Sequence, residues 1–538
     1  MISKRNEYNF VNHSYIFIIS LLSFIAFITK VKTGYHWPAM DMFTFYERHF
    51  HSNYLINDFY TNAITFEPNP RWIFGYLIIF ISELLNLEWY TTIYSLTVLL
   101  VILMPALFYM AIYAMIQQYL KKDKLEIAQL ILMFGVIAVI YWPISAIFSI
   151  AWWPPLLIQA TPQNLSLTFA LTAIVFLQYD KRRFIILSGC FFAFACFLHP
   201  ALGMFAFTFY IIGNLPFIFK DLKKYLYLFI FSIFSPCLCI ILIFEPSISI
   251  DTMDFINIYA KQMHSPHYVI GEFGSLTSFS WIYSMYLIIL LLLIPTLYFL
   301  KRNLMDLFII CIFFIISYLM AILLQYIFIE IIPSKTIASI GPVRFTMFGY
   351  WMIVFAWCLF LSNIKFLRKF TFNYKHRSAA KLSLITVLYA FLGFSMIDDP
   401  KEAAYKKHND VLSFIDTTDH GAVFATTRIS NFILDIPHFS RRSVFVGNGF
   451  PFNESNFLEF YDRYTLLYGS SDDDKVGSWK GDQDANFYRN LTPKDFYRIS
   501  KIYQLDYVLI EKDYISSFDN YKPVFTNEIL NIYKVSDF

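Results

Sequence analysis

Charge is scarce in this chain. Charged residues make up 15% of its 538 positions, while 57% are hydrophobic and 20% aromatic. A soluble globular domain carries roughly 25% charged residues. Cysteine is equally thin. The six present (Cys190, Cys196, Cys237, Cys239, Cys311, Cys358) all lie in apolar runs, and none falls beyond Cys358. That excludes a disulfide framework and a cysteine-based metal site. No glycine-rich phosphate loop, HExxH or GxSxG motif stands in a fitting context, so nucleotide-driven chemistry has no support. What remains is apolar surface. A mean hydropathy of +0.52 is more than a water-exposed fold can hide, and it predicts a polytopic membrane protein.

Net charge is +3 overall but unevenly spread. Up to Ile397 there are 26 Lys+Arg against 17 Asp+Glu; from Asp398 onward the balance is 16 against 22. This split predicts a membrane region (1–397) followed by an acidic α/β domain (398–538). A crossing needs about 20 apolar residues. The runs Ser14–Thr29, Thr91–Gln117, Ile127–Pro143, Leu165–Tyr179, Phe184–Leu198, Ala201–Phe219, Tyr225–Phe244, Trp281–Leu300, Leu304–Ile329, Phe345–Ser362 and Leu382–Ile397 suggest about 11 transmembrane helices. Compact basic clusters between them (Lys121/Lys122/Lys124, Lys181/Arg182/Arg183, Lys220/Lys223/Lys224, Lys301/Arg302, Lys365 to Lys381) share one side if the N-terminus is cytoplasmic. The acidic domain then lies outside. The run 72–87 is apolar but short and broken by Ser82 and Glu83, which predicts an interfacial amphipathic helix rather than a crossing.

The side groups with chemistry gather in the loops assigned outside. Loop 31–71 holds Asp41, Glu47 and Asp58. A carboxylate at the lipid–water boundary suits a general base acting on a hydroxyl; the structural alternative for Asp41 and Asp58 is helix capping. Glu47 is the candidate second carboxylate, or else part of a solvated helix face. Arg344 opens a late span after Gly341-Pro342. A membrane-edge Arg usually has a partner, and its fork suits phosphate oxygens; Lys335 and Lys261 are weaker candidates of the same kind, and snorkelling to headgroups is the alternative. His199-Pro200 reads as a ligand or acid, or as a polar turn. His264 and His267 lack helical spacing and a fixed carboxylate, so no metal-ligand set is assigned.

Past Asp398 the pattern changes to short strand-type runs (Ala422–Ala425, Ser443–Val446, Tyr507–Ile510). Helical stretches over Lys401–Thr417, Glu454–Leu467 and Lys494–Tyr503 alternate with them, and a closing hairpin turns through Asn527-Glu528.

One span, a long outer loop with an early acid, the Asn69-Pro70-Arg71-Trp72 to Leu87-Glu88-Trp89 stretch and a span ending in cytoplasmic lysines resemble the N-terminal module of the GT-C superfamily. These are integral-membrane glycosyltransferases that use polyprenyl-phosphate-linked sugars. His199-Pro200, the Gly341–Phe345 entry and the Tyr503–Val508 segment of the tail resemble features of bacterial members. The resemblance implies a GT-C-like membrane domain in the bacterial cytoplasmic membrane. It implies transfer of a sugar from a polyprenyl-phosphate-linked donor to a glycan, lipid or protein acceptor on the outer face, with no nucleic-acid partner. In the family the first-loop carboxylate is the usual base, which carries over most naturally to Asp41, with Asp58 open. Some branches use a divalent metal ion, left open here. A donor groove would lie near Arg344, and the sugar pocket would be lined by Trp152, Trp153, Gln159, Tyr46, His199 and His264. A repeat-unit polymerase, a transporter and a non-catalytic scaffold are the alternatives.

Overall fold

The computed structural model describes residues 13–31, 42–66, 71–140, 160–179, 181–218, 220–234, 236, 238, 250–263, 265–272, 281–364, 409–427, 432–447, 456–469, 486–514 and 516–538. The chain divides into two compact units. One comprises Met1–Pro38, Tyr90–Ile243 and Ser265–Asp398; the other comprises Ala39–Trp89, Phe244–His264 and Asp399–Phe538. The expected boundary at Ile397/Asp398 lies outside the described residues.

The first unit is helical. Its long apolar runs satisfy their backbone groups internally, which is what a hydrocarbon solvent demands. Helices Pro162–Leu177 and Arg182–Leu198 form a hairpin. Phe176 stacks on Phe184 and Phe191, and the Ser166 and Ser188 hydroxyls donate to the Ala195 and Ala173 carbonyls across the pair. Gly203 abuts the Cys196 backbone so closely that a Cβ there would sit 2.7 Å from the Cys196 nitrogen; only glycine allows that approach. Lys122–Ile140 packs on Gly349–Asn363, where the Tyr350 hydroxyl donates to the Gly135 carbonyl at 2.7 Å.

The span count is smaller than the sequence suggests. Among the described residues four helices are long and apolar enough to cross a membrane: Trp89–Ile116, Trp281–Lys301, Met305–Ile331 and Lys335–Ser362. The expected eleven are not found because several runs form helices that stop early. The His13–Val31 helix runs for 19 residues, but Pro162–Leu177 and Pro200–Gly213 are shorter apolar helices of 16 and 14 residues. At about 1.5 Å per residue, such helices fall short of a hydrocarbon core about 30 Å thick. The Leu382–Ile397 run lies outside the described residues. Trp72–Leu85 spans 14 residues, burying Phe74, Ile78 and Ile79 while exposing Tyr76, Phe80 and Leu84.

The second unit carries a five-stranded sheet in the order β2-β1-β3-β5-β4, with β1 Val423–Ala425, β2 Ser443–Val444, β3 Tyr507–Glu511, β4 Phe525–Thr526 and β5 Leu530–Lys534. The three buried strands β2, β1 and β3 are parallel and need helical crossovers. Phe457–Tyr468 and Pro493–Ile502 lie between β2 and β3 in the chain. β5 then returns antiparallel along β3 from Glu511↔Leu530 to Tyr507↔Lys534. The Asn527 side chain accepts both the Ile529 and Leu530 N–H groups at 2.9 Å, which fixes the β4–β5 turn. Val411, Ile415, Phe424, Ile436, Leu509 and Ile532 form the core against the Asn409–Asp416 helix.

Arg442, just before β2, is buried. Its guanidinium donates to the carbonyls of Asp416, Thr418 and Ser440 at 2.7, 2.6 and 2.8 Å, stapling the turn before β1 to the turn before β2. Arg442→Ala strands these acceptors and is expected to cost about 2–4 kcal/mol, read as a lowered thermal midpoint of the full chain. Asp435 behaves in the opposite sense. Burial pushes its carboxyl up to about 6, so the folded state holds this proton more tightly than the unfolded one. The stability it contributes is present below the unfolded value near 4 and is lost as pH rises through about 6. Asp435→Asn is expected to raise the thermal midpoint at pH 7.5 and to shrink the wild-type loss of stability between pH 5 and pH 7. An unchanged midpoint at pH 7.5 would contradict this.

Candidate functional site

Two short helices of the first loop, Phe43–Phe50 and Phe59–Phe66, belong to the same unit as the sheet. In the first, apolar Phe43, Phe45 and Tyr46 are buried while Glu47, Arg48 and His49 turn outward by degrees. Tyr46 stacks on Trp89 with ring centroids 5.2 Å apart. That stack aims the indole N–H at Glu47, donating to Oε1 at 2.8 Å. The other oxygen, Oε2, is buried and accepts no hydrogen bond; His51 Nε2 stands 3.9 Å from it. The Glu47 side chain is 19% exposed.

The turn that follows, residues 51–58, is tied down on both sides. Arg48 donates to the Tyr54 carbonyl, the Tyr54 hydroxyl donates to the Pro437 carbonyl at 2.7 Å, and Asn57 Nδ2 donates to the Gly421 carbonyl at 2.8 Å. The Phe43 ring meets the His438 imidazole edge-on at 5.4 Å. Desolvation lowers the His438 pKa below its ordinary value, while the Glu47 charge pulls it back up. His49 pairs with Glu83 at 3.2 Å on the exposed surface.

Asp58 is sealed in. Its Oδ1 accepts the Thr61 N–H at 2.7 Å, the geometry of a helix cap, and its Oδ2 accepts the Val444 N–H at 3.2 Å. Val444 lies in β2 at the sheet edge, where Ser443 and Phe445 already donate to β1. The carboxylate therefore occupies the place of a missing neighbouring strand. Burial raises its pKa, opposed by these N–H groups and by Arg463. Arg463 sits among the rings of Tyr503, Phe59 and Phe445 at 4.4–5.2 Å, paired with Glu459. Both oxygens of Asp58 are thus engaged by backbone, the capping role rather than that of an open base.

The other expected residues fall apart from this cluster. Asp41, Trp152, Trp153, Gln159 and His264 lie outside the described residues. Tyr46, expected to line a sugar pocket, is fully buried instead, because its ring is held against Trp89 and Phe45. Lys261 is half-buried in the π-helical segment Phe255–Met263, next to Gln262, which accepts from the Tyr461 hydroxyl at 3.0 Å. His199, Lys335 and Arg344 belong to the helical unit. His199 caps Pro200–Gly213, its Nδ1 facing the Leu202 N–H at 3.4 Å. Lys335 opens the short helix Lys335–Ile340. Arg344 follows Gly341, whose φ of +64° needs glycine. Its Nη2 donates to the Tyr268 hydroxyl at 3.3 Å. Gln325, fully buried within Met305–Ile331, donates to the Tyr268 carbonyl at 3.3 Å and accepts from the Val343 N–H at 3.4 Å.

Sequence reasoning missed Gln325, Trp89, His438 and Arg463. A lone Gln inside a long apolar run was the available signal for the first, since intramembrane polar groups are costly. Among the described residues no group of three or more His, Cys, Asp or Glu side chains is placed to hold a metal ion. No protein-family model matches the chain, and no curated protein matches it.

Asp58→Ala removes a helix cap, worth about 1 kcal/mol, and strands the Val444 N–H, at about 1–3 kcal/mol more. A lower thermal midpoint and faster proteolysis within residues 51–66 are expected. Asp58→Asn, which keeps one acceptor oxygen, should lie between the two.

Proposed function

We propose that the chain is a membrane glycosyltransferase that moves a sugar from a polyprenyl-phosphate carrier to an acceptor at the outer surface of the bacterial cytoplasmic membrane. The observation that carries this reading is Glu47. It is a first-loop carboxylate oriented by an indole N–H, largely withdrawn from water, with one oxygen left open. A carboxylate held in place with one oxygen unpaired suits a general base acting on a hydroxyl. The apolar spanning helices supply what a lipid-borne donor requires: a polyprenyl tail cannot leave the hydrocarbon, and a sugar cannot enter it. Arg344, held beside Tyr268 at the mouth of the Gly349–Asn363 helix, is the donor-phosphate candidate of the helical unit; Lys335 is its weaker companion. Asp41 remains the other candidate base.

Removing the protein from its host should cause a lipid-linked sugar to accumulate. Glu47→Gln keeps the oxygen that accepts from Trp89 and should insert normally while lowering transfer by about 100-fold or more. Arg344→Ala should raise the donor concentration needed for half-maximal transfer by about 10–100-fold, the scale of a lost charge-assisted hydrogen bond. If Asp41→Asn abolishes transfer and Glu47→Gln does not, the base is Asp41. An unchanged pool of lipid-linked sugars in the deletion strain would sink the transferase reading.

A further inference from the structure

Four segments of the helical unit are tied together at one end of it. Gln117, just past Ile116, donates to the Gln178 side chain at 3.3 Å, just past Leu177. The Tyr119 hydroxyl donates to the Gly213 carbonyl at 2.7 Å, where Pro200–Gly213 ends. Lys124 donates to the Asn363 side chain at 2.6 Å, and the Tyr298 hydroxyl donates to the carbonyl of the same Asn363. Segments 117–126, 178–183, 213–224 and 298–306 are thereby joined, and together they carry 11 Lys or Arg residues against 5 Asp or Glu. At the other end, segments 265–272 and 326–345 carry two of each. Positive charge is concentrated on one end only.

Two of the joined segments lead into neighbouring helices. Arg182–Leu198 and Leu222–Phe229 both start at this end, and the second runs on through the π-helical segment Ile230–Phe234. They pack side by side, so that a Cβ at Gly189 would meet Ser232 Oγ at 3.6 Å. Lys181, Arg182, Arg183, Lys220 and Lys223 are exposed where the pair begins. Farther along, Ile186, Phe194, Leu226, Phe231 and Phe234 are exposed too, at 54–65%. The charged and apolar sets adjoin. The Arg183 guanidinium lies 4.9 Å from the Phe184 ring centroid, and Lys223 Nζ lies 5.8 Å from that of Tyr227, one helical turn on. Long basic side chains lay their stems along apolar surface and keep the charged head at its edge. Asp221, an acid of this group, is spent on the helix start, accepting the Lys224 N–H at 3.3 Å.

We propose that this paired-helix face binds an anionic phospholipid, with the headgroup among the basic side chains at its start and the acyl chains along the exposed apolar side chains. The match is made at both ends of the ligand. A soluble polyanion would meet the charges and leave the aliphatic and aromatic side chains bare. A zwitterionic lipid would cover those side chains but bring a cation to a basic cluster. A lipid with a net negative headgroup satisfies both. Each basic residue near an anionic surface raises affinity about fivefold. The inference goes beyond the transferase reading and stands apart from it, because nothing in it requires a sugar.

The full-length protein in nanodiscs of phosphatidylcholine mixed with phosphatidylglycerol tests this, with native mass spectrometry of the lipids that stay bound on ejection. Phosphatidylglycerol should be retained about fivefold or more above its share of the bilayer. Lys181→Gln combined with Arg182→Gln and Lys223→Gln should bring it down to that share, with the thermal midpoint in phosphatidylcholine discs retained. Lys301→Gln combined with Arg302→Gln, on another segment of the same end, should keep the preference. Equal retention of the two lipids by the wild type overturns the proposal. So does an equal loss in both variants, which would mean a diffuse charged face. A photoreactive phosphatidylglycerol needs no variant: its adducts should fall in peptides covering 182–194 and 222–234, and adducts in neither would overturn the site even if the substituted protein fails to fold. A single-stranded DNA oligomer offers phosphates without acyl chains and should displace little lipid; full displacement at equal phosphate concentration overturns the proposal in favour of a soluble polyanion.

Discussion

The second unit depends on a single buried carboxylate. An edge strand presents unpaired N–H groups that must find a partner or remain open to foreign strands. In this protein the Val444 N–H of β2 is met by Asp58, from a segment nearly four hundred residues earlier. The same side chain caps the Phe59–Phe66 helix. One group therefore settles the start of a helix, the edge of a sheet and the distance between them. Burying a carboxylate is costly, and three features offset that cost: two backbone N–H donors and the nearby Arg463 charge. Arg463 is itself held by three aromatic rings, so its position does not drift with solvent.

Glu47 owes its state to the same arrangement. Its helix is only eight residues long and would be marginal alone. The Tyr46–Trp89 stack, the Arg48 bond to Tyr54 and the Tyr54 bond to Pro437 hold it in place. The contrast between two first-loop acids follows from partners rather than residue type. Asp58 spends both oxygens on backbone N–H groups; Glu47 spends one on an indole and keeps the other.

In the helical unit the corresponding constraint is polar satisfaction inside apolar surroundings. Gln325 is buried in a helix long enough to span, and it serves both the Tyr268 carbonyl and the Val343 N–H. The left-handed turn at Gly341 frees backbone groups that a continuous helix would have paired internally. Gln325 takes up one of them, and that joins the turn carrying Arg344 to a neighbouring helix.

Local pattern was enough for some of this. The apolar excess announces membrane helices, and the alternation of short β-type runs with helical stretches beyond Asp398 anticipates β1, β2, β3 and the β4–β5 hairpin within a few residues. These features depend on near neighbours in the chain, which hydropathy and turn chemistry report directly. Helix length was legible only in part, since an apolar run does not reveal where a cap such as Thr161 or His199 will start a helix or where one will break. The union of residues 39–89 with the tail and the sealing of Asp58 and Tyr46 were decided by tertiary structure alone. Each depends on which distant backbone group or ring arrives beside a side chain, and no periodicity in one stretch of sequence encodes the identity of its partner in another.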